Sequence, residues 1–230
     1  GKIVMDRTIG HSHGNGPENR KKKNGKELAT PGTLYNLFSA SKAITAMLIH
    51  LLDQRGELHL DDVVERYIPG FGQAGKHNIT IRHILTHRAG IPSVPIEDNP
   101  LEILTDREEI LRRMCAAKTV SRPGRNLAYH ALSGGFILGE IIEQLTGQTP
   151  REFLQNEICT PLGLEQFNYG VPPSKVPNVA MHSYTGPPPA LPYAWFLEKS
   201  LEYLKKPKKQ LKNEEFTVHL FSFRNIIFIM

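Results

Sequence analysis

Residues 39–163 are divided by caps and stops into a succession of helices, and that punctuation commits the chain to a fold with a large helical layer. Ile44, Met47, Leu48, Leu51 and Leu52 recur at helical spacing, so residues 34–38 lead into a long helix with one apolar stripe. Gly56 closes it as the residue after the C-cap. Residues 58–67 read as a connection followed by a helical turn, broken at Pro69, Gly70, Phe71 and Gly72. Thr80 caps a short helix through His87, terminated by Gly90 and Pro92. Thr105, with Glu108 three residues later, predicts a capping box for a helix reaching Ala117. Pro123 and Gly124 mark a turn, and residues 132–145 form a further helix stopped at Gly147. Thr149, Pro150 and Glu152 open another, in the order cap, first-turn proline, capping-box acid, with Pro161 and Gly163 ending it. Ahead of these helices, residues 1–10 read as a short strand with Ile3 and Met5 on one face. Residues 11–32 read as a loop, and so do the proline-rich residues 170–192. There is no internal repeat.

The chain has 230 residues, 40% of them hydrophobic and 22% charged, an ordinary balance for a globular protein able to bury a core. Its net charge of +5 is concentrated in two runs: Arg20, Lys21, Lys22 and Lys23, and Lys205, Lys206, Lys208 and Lys209. The remainder is close to neutral, so the basic balance describes a loop and a tail. Nucleic-acid or membrane binding through these runs finds no aromatic interleaving and no known module to support it. The final apolar run, residues 216–230, is short and carries His219 and Arg224, and no stretch spans a bilayer. The two cysteines, Cys115 and Cys159, fall inside helical patterns and are too few for a disulfide framework. No secretory signal is visible, but the first residue is Gly1, so the compartment is left open.

The chemistry centres on Ser39, Ala40, Ser41 and Lys42, an S-x-x-K sequence at the start of the apolar helix. Residues three apart share a helical face, which brings the Lys42 ammonium within reach of the Ser39 hydroxyl. A serine hydroxyl needs a base to act as a nucleophile, and a desolvated lysine near other cations can supply one. The helix N-terminus adds partial positive charge and free N–H groups where an oxyanion would form. S-x-x-K alone is a weak signal, because an N-cap serine followed by an exposed lysine reads the same way.

The surrounding segments make it specific. The run from Leu37 to Lys42 with its apolar helix resembles the nucleophile helix of the serine β-lactamase and penicillin-binding-protein family. It is most similar to the class C branch and its related esterases. Gly56, Glu57, Leu58, His59, Leu60, Asp61 and Asp62 resemble the segment that closes that helix. Residues 79–90 (ITIRHILTHRAG), Pro123-Gly124 followed by Tyr129, and the stretch from Gly139 to Gly147 resemble further family elements in the same order. The resemblance covers roughly residues 1–185. It implies an α+β fold of the β-lactamase/transpeptidase type, with the helical region largely present and the antiparallel sheet incomplete. It implies that Tyr129 exchanges a proton with the nucleophile and the leaving group. His130 and Ala131 follow in the substrate-binding positions of the same element. Many members have asparagine where Ala131 stands, so a contact to the substrate amide is lost, which weighs against β-lactam turnover more than against ester hydrolysis. His130 is either a substitute proton shuttle or a surface histidine, the latter preferred.

The family's third element, a Lys-Thr-Gly or His-x-Gly triplet on a late strand, is not found in residues 186–230; His219 is followed by Leu220 and Phe221. The expectation is therefore a β-lactamase-related domain over residues 1–198, truncated on its C-terminal side, and a divergent lysine-rich tail over residues 199–230. The expected function is a serine hydrolase acting on a small ester or amide through an acyl-serine, without metal or organic cofactor. The alternative is a catalytically impaired relative that binds a ligand or a protein. His83 and His87 are four apart, a spacing that can chelate metal, but no third ligand is evident. The resemblance places His87 in a turn near the site. His11 and His13 lie in the glycine loop without functional weight. Tyr193 and Trp195 either wall a pocket or pack.

Overall fold

The computed structural model describes residue 2 and residues 4–16, 25–95 and 102–182. Ile3, the basic runs at 20–23 and 205–209, Tyr193, Trp195, His219 and the tail from 199 lie outside the described residues, as does the later part of the 170–192 loop. Two compact units are present, one taking in the described residues from 2 to 36 and from 173 to 182, the other those from 37 to 172.

In the first unit, β1 (His11–His13) pairs antiparallel with β2 (Glu27–Leu28). This corrects the expected strand at 1–10 and the expected loop at 11–32. Residues 4–10 form no strand, and the pairing lies just beyond Gly10. Strand formation depends on a partner, and here the partner is Glu27–Leu28. Leu34 forms a parallel bridge with Val179, and the proline-rich stretch contains a 3₁₀ run at Pro173–Asn178.

The second unit is helical. Helix α1 (Ser41–Gln54) follows a 3₁₀ turn at Phe38–Ala40, in line with residues 34–38 leading into a long helix. Its fully buried side chains are Leu48, Ile49 and Leu52, with Thr45 beside them, while Met47 lies on the exposed side. Gly56 follows with φ 72, as its place after the C-cap requires. Helix α2 (Ile81–Leu85) carries the Thr80 capping box, completed by His83, whose Nδ1 accepts from the Thr80 N–H at 3.2 Å.

Helix α3 (Arg107–Ala116) is capped by Asp106, not Thr105: the Asp106 carboxylate accepts from the Glu109 N–H at 3.0 Å. Both residues precede a glutamate by three, and the aspartate, in the extended conformation, takes the cap one residue later. Helix α4 (Ser133–Thr146) packs against α1, α2 and α3 and ends at Gly147, which has φ 66. Helix α5 (Pro150–Leu154) opens with the Thr149–Glu152 capping box. It does not stop at Pro161. A π-helical turn at Gln155–Cys159 joins it to α6 (Thr160–Leu162), and Gly163 ends the run with φ 64. A proline ring crowds the carbonyl four residues back, and the widened turn ahead of Pro161 relieves that clash.

One core runs through this unit, from Leu48, Ile49 and Leu52 of α1 to Ile137, Ile141 and Ile142 of α4, with Ile81, Ile84, Ile110, Met114 and Phe153 around them. Arg107 ties α3 to α4 through Glu140 and, at 2.6 Å, Glu143. Both cysteines are free, Cys159 buried and Cys115 half-buried. Among the described residues no helix is long and apolar enough to cross a membrane.

Candidate active site

Ser39 stands in the tight turn that opens α1. Phe38, immediately before it, has φ 46, a left-handed conformation that is strained for a non-glycine residue. The Ala40 N–H donates to the Leu37 carbonyl at 3.1 Å, and the Ser41 hydroxyl, along with its backbone N–H, donates to the Phe38 carbonyl, the hydroxyl at 2.7 Å. The result is an exposed Ser39 hydroxyl at the helix N-terminus. Lys42, one turn along, donates from Nζ to Ser39 Oγ at 3.2 Å. The next turn is anchored below it, where Thr45 Oγ1 and the buried Tyr169 hydroxyl share a 2.7 Å hydrogen bond. Burial pushes the Tyr169 phenol up to about 12, so it stays protonated at neutral pH.

Tyr129 reaches the same hydroxyl from the segment ahead of α4, donating to Ser39 Oγ at 2.6 Å. The Lys42 ammonium lies 5.0 Å from the centre of its ring. The Ser39 hydrogen bond, followed by the hydrogen bond and charge of Lys42, holds the Tyr129 phenol below its ordinary value. Ser39, Lys42 and Tyr129, which sequence reasoning singled out, therefore converge on one oxygen atom.

The tyrosine's position is set by the turn after α2. His87 is left-handed, with φ 58. Its carbonyl accepts from the Ala128 N–H at 2.9 Å, and its Nδ1 accepts from the His130 N–H at 3.2 Å. Its ring meets the Tyr129 ring edge-on at 5.0 Å. Gly90 closes the turn with φ 77, and a Cβ there would lie 2.4 Å from the Ser121 carbonyl oxygen, so only glycine fits. The start of α4 is tied to the same loop by the buried Ser133 hydroxyl, which donates to the Ile91 carbonyl at 2.7 Å.

His130 is not a surface histidine: its side chain is fully buried. Its Nδ1 is 2.6 Å from the Ala128 carbonyl, and its Nε2 accepts from the Ile91 N–H at 3.3 Å. Two backbone partners turn the imidazole inward, which leaves it no free nitrogen for shuttling protons. Burial first, and the neighbouring His87 in addition, lower its pKa against the opposing Ala128 hydrogen bond. Ala131 is half-buried beside it.

His83 and His87 each spend Nδ1 on a backbone N–H, and among the described residues no group of three potential ligands could hold a metal ion. His11 is exposed, and His13 Nδ1 lies 3.3 Å from the Glu27 carboxylate and 3.1 Å from the Ser12 hydroxyl. The part played by His87 and His130 was not visible in the sequence. The bonds that His87 Nδ1 and His130 Nε2 accept come from main-chain N–H groups some forty residues distant, for which no side-chain pattern gives a signal.

The family model for Beta-lactamase matches residues 1–200. Esterase/beta-lactamase LipL of Mycobacterium tuberculosis is 33% identical over 145 residues, which is 62% of this chain and 32% of that protein. Among solved structures, a penicillin-binding-protein homologue from Caulobacter crescentus superposes with a TM-score of 0.67 at 31% identity, covering 78% of this chain and 46% of the other. A family VIII carboxylesterase gives a TM-score of 0.63 at 28% identity, covering 67% and 42% respectively. The chain spans about a third of the length of the curated relatives it matches. Its helices and two-stranded sheet are part of the α+β fold of these neighbours, and the chain belongs to the beta-lactamase family.

Proposed function

We propose that this chain carries the acylation centre of a serine hydrolase that cleaves small esters or amides through an acyl-serine intermediate. The observation that carries this reading is the pair of hydrogen bonds on Ser39 Oγ, from Tyr129 at 2.6 Å and from Lys42 at 3.2 Å. A hydroxyl held between a cation and a phenol of lowered pKa is placed to lose its proton as it attacks. The named activities of the relatives, esterase and carboxylesterase among them, agree with this chemistry.

In the proposed reaction Tyr129 acts as the phenolate, with the Lys42 ammonium beside it offsetting the negative charge. The phenolate takes the Ser39 proton as Oγ bonds to the substrate carbonyl carbon, and the carbonyl electron pair moves onto oxygen. When the tetrahedral species collapses, the alcohol or amine departs with the proton from Tyr129, leaving acyl-Ser39. Water then adds to the acyl carbon, its proton passing to Tyr129. Ser39 Oγ leaves with that proton, and a carboxylic acid is released. Ala131, in place of the asparagine common at this position, offers no amide to a substrate amide, which favours esters over β-lactams.

Acylation reads the Ser39 step directly. Intact mass after exposure to a p-nitrophenyl ester, and separately to a penicillin, is expected to show one acyl adduct with the ester that vanishes in Ser39→Ala. A folded chain with no adduct from either reagent would leave the impaired, ligand-binding relative as the reading.

A further inference from the structure

We propose that His87 is a positioning residue for Tyr129, gripping the backbone on both sides of the tyrosine only while its imidazole is neutral; this rests on the acyl-serine reading above. Ala128 and His130, the two neighbours of Tyr129, both donate their N–H groups to His87, one to its carbonyl oxygen and one to its Nδ1. The tyrosine is thus suspended between two bonds to one residue, with its ring in edge-type contact with the imidazole. The left-handed backbone at His87 allows a single residue to present carbonyl and ring to the same segment.

Protonation would dismantle one of these grips. The Nδ1 lone pair that accepts from the His130 N–H would carry a proton instead, setting donor against donor across 3.2 Å. It would also place a second cation near the site. The groups facing His87 are Lys42 from α1, and Tyr129 and His130 from the segment ahead of α4. The adjacent Arg88 reaches the Arg125 carbonyl at 3.2 Å. His130 stacks on His87 with ring centres 5.7 Å apart and accepts from the Ile91 N–H, so it too is held neutral. Burial first and the Lys42 charge second lower the pKa of His87, which keeps the grip intact at neutral pH. Tyr129 then loses its placement as the pH falls below the ordinary histidine value of about 6.5.

The test compares fluorophosphonate labelling of Ser39 from pH 5 to pH 8 in the parent chain, His87→Asn and His87→Leu, each verified as folded by circular dichroism. Asparagine tolerates the left-handed conformation and offers Oδ1 where Nδ1 sits, but does not titrate. Below the His87 titration the parent is expected to lose rate by up to about tenfold per pH unit beyond the fall set by protonation of the Tyr129 phenolate. His87→Asn should label at pH 8 within about threefold of the parent and lose the part of the acid limb that follows the His87 titration, keeping only the fall set by protonation of Tyr129. His87→Leu should label at least about tenfold more slowly at every pH. An unchanged acid limb in His87→Asn, or parental labelling at pH 8 in His87→Leu, would overturn the proposal. Ring-nitrogen NMR on the parent gives a readout independent of labelling. His87 is expected as the neutral tautomer with its proton on Nε2, and the Tyr129 ring signals should move with the His87 titration. A folded parent that does not label at pH 8 sinks the acyl-serine reading alone; the positioning claim then stands or falls on whether Tyr129 follows His87 in the NMR titration.

Discussion

A lone serine hydroxyl is inert at neutral pH, and what distinguishes Ser39 is that a lysine three residues on and a tyrosine ninety residues on meet at its oxygen. Other residues do comparable work away from the chemistry. Lys76 is fully buried, and its ammonium donates to the carbonyls of Gln73, Cys115 and Ala117, the latter two at the C-terminal end of α3. The charge suits the negative end of the helix dipole, and the three acceptors offset the desolvation that lowers the lysine's pKa. Lys76→Met removes the ammonium that lies 5.6 Å from the centre of the Phe71 ring and strands three carbonyls without a donor. It is expected to destabilise the chain by roughly 2–5 kcal/mol, read as a lower urea midpoint. A loss under about 1 kcal/mol would mean that water replaces the ammonium.

At the scale of elements, the helices were legible where their signals are local and unambiguous. The Thr80 and Thr149 caps, the Gly56 and Gly147 stops and the helix at 132–145 all depend on residues within one turn of each other. The errors arose where two readings fit equally well or where the partner is distant. Thr105 and Asp106 each precede a glutamate by three, and geometry chooses Asp106. Asp106→Ala is accordingly expected to cost about 1 kcal/mol by thermal or urea unfolding, with Asp106→Ser restoring most of it. No measurable loss in Asp106→Ala would return the cap to Thr105. Of the expected stops at Pro161 and Gly163, Gly163 ends the run while a π turn absorbs the Pro161 ring, and the strand at 1–10 failed because pairing is decided by β2, not by alternation in one segment.

For the molecule as a whole, Ser39 and Lys42 were legible because the helix repeat itself brings them together. Tyr129 was legible only through the order of several motifs, since nothing in its own neighbourhood points across 90 residues. The inward turn of His130 and the grip of His87 are main-chain effects that residue identity does not encode. One core, from α1 through α4, fixes the two segments that must meet, and the Arg107–Glu140–Glu143 cluster holds α3 onto the same central helix. The central claim is that Tyr129 activates Ser39. The most direct measurement is the second-order rate of Ser39 phosphonylation in the parent and in Tyr129→Phe, which removes one oxygen and keeps the ring against His87. A fall of about 10²–10⁴-fold is predicted, the range for loss of a general base. Equal rates in the two folded proteins would contradict the account, showing that the 2.6 Å hydrogen bond does not activate the serine.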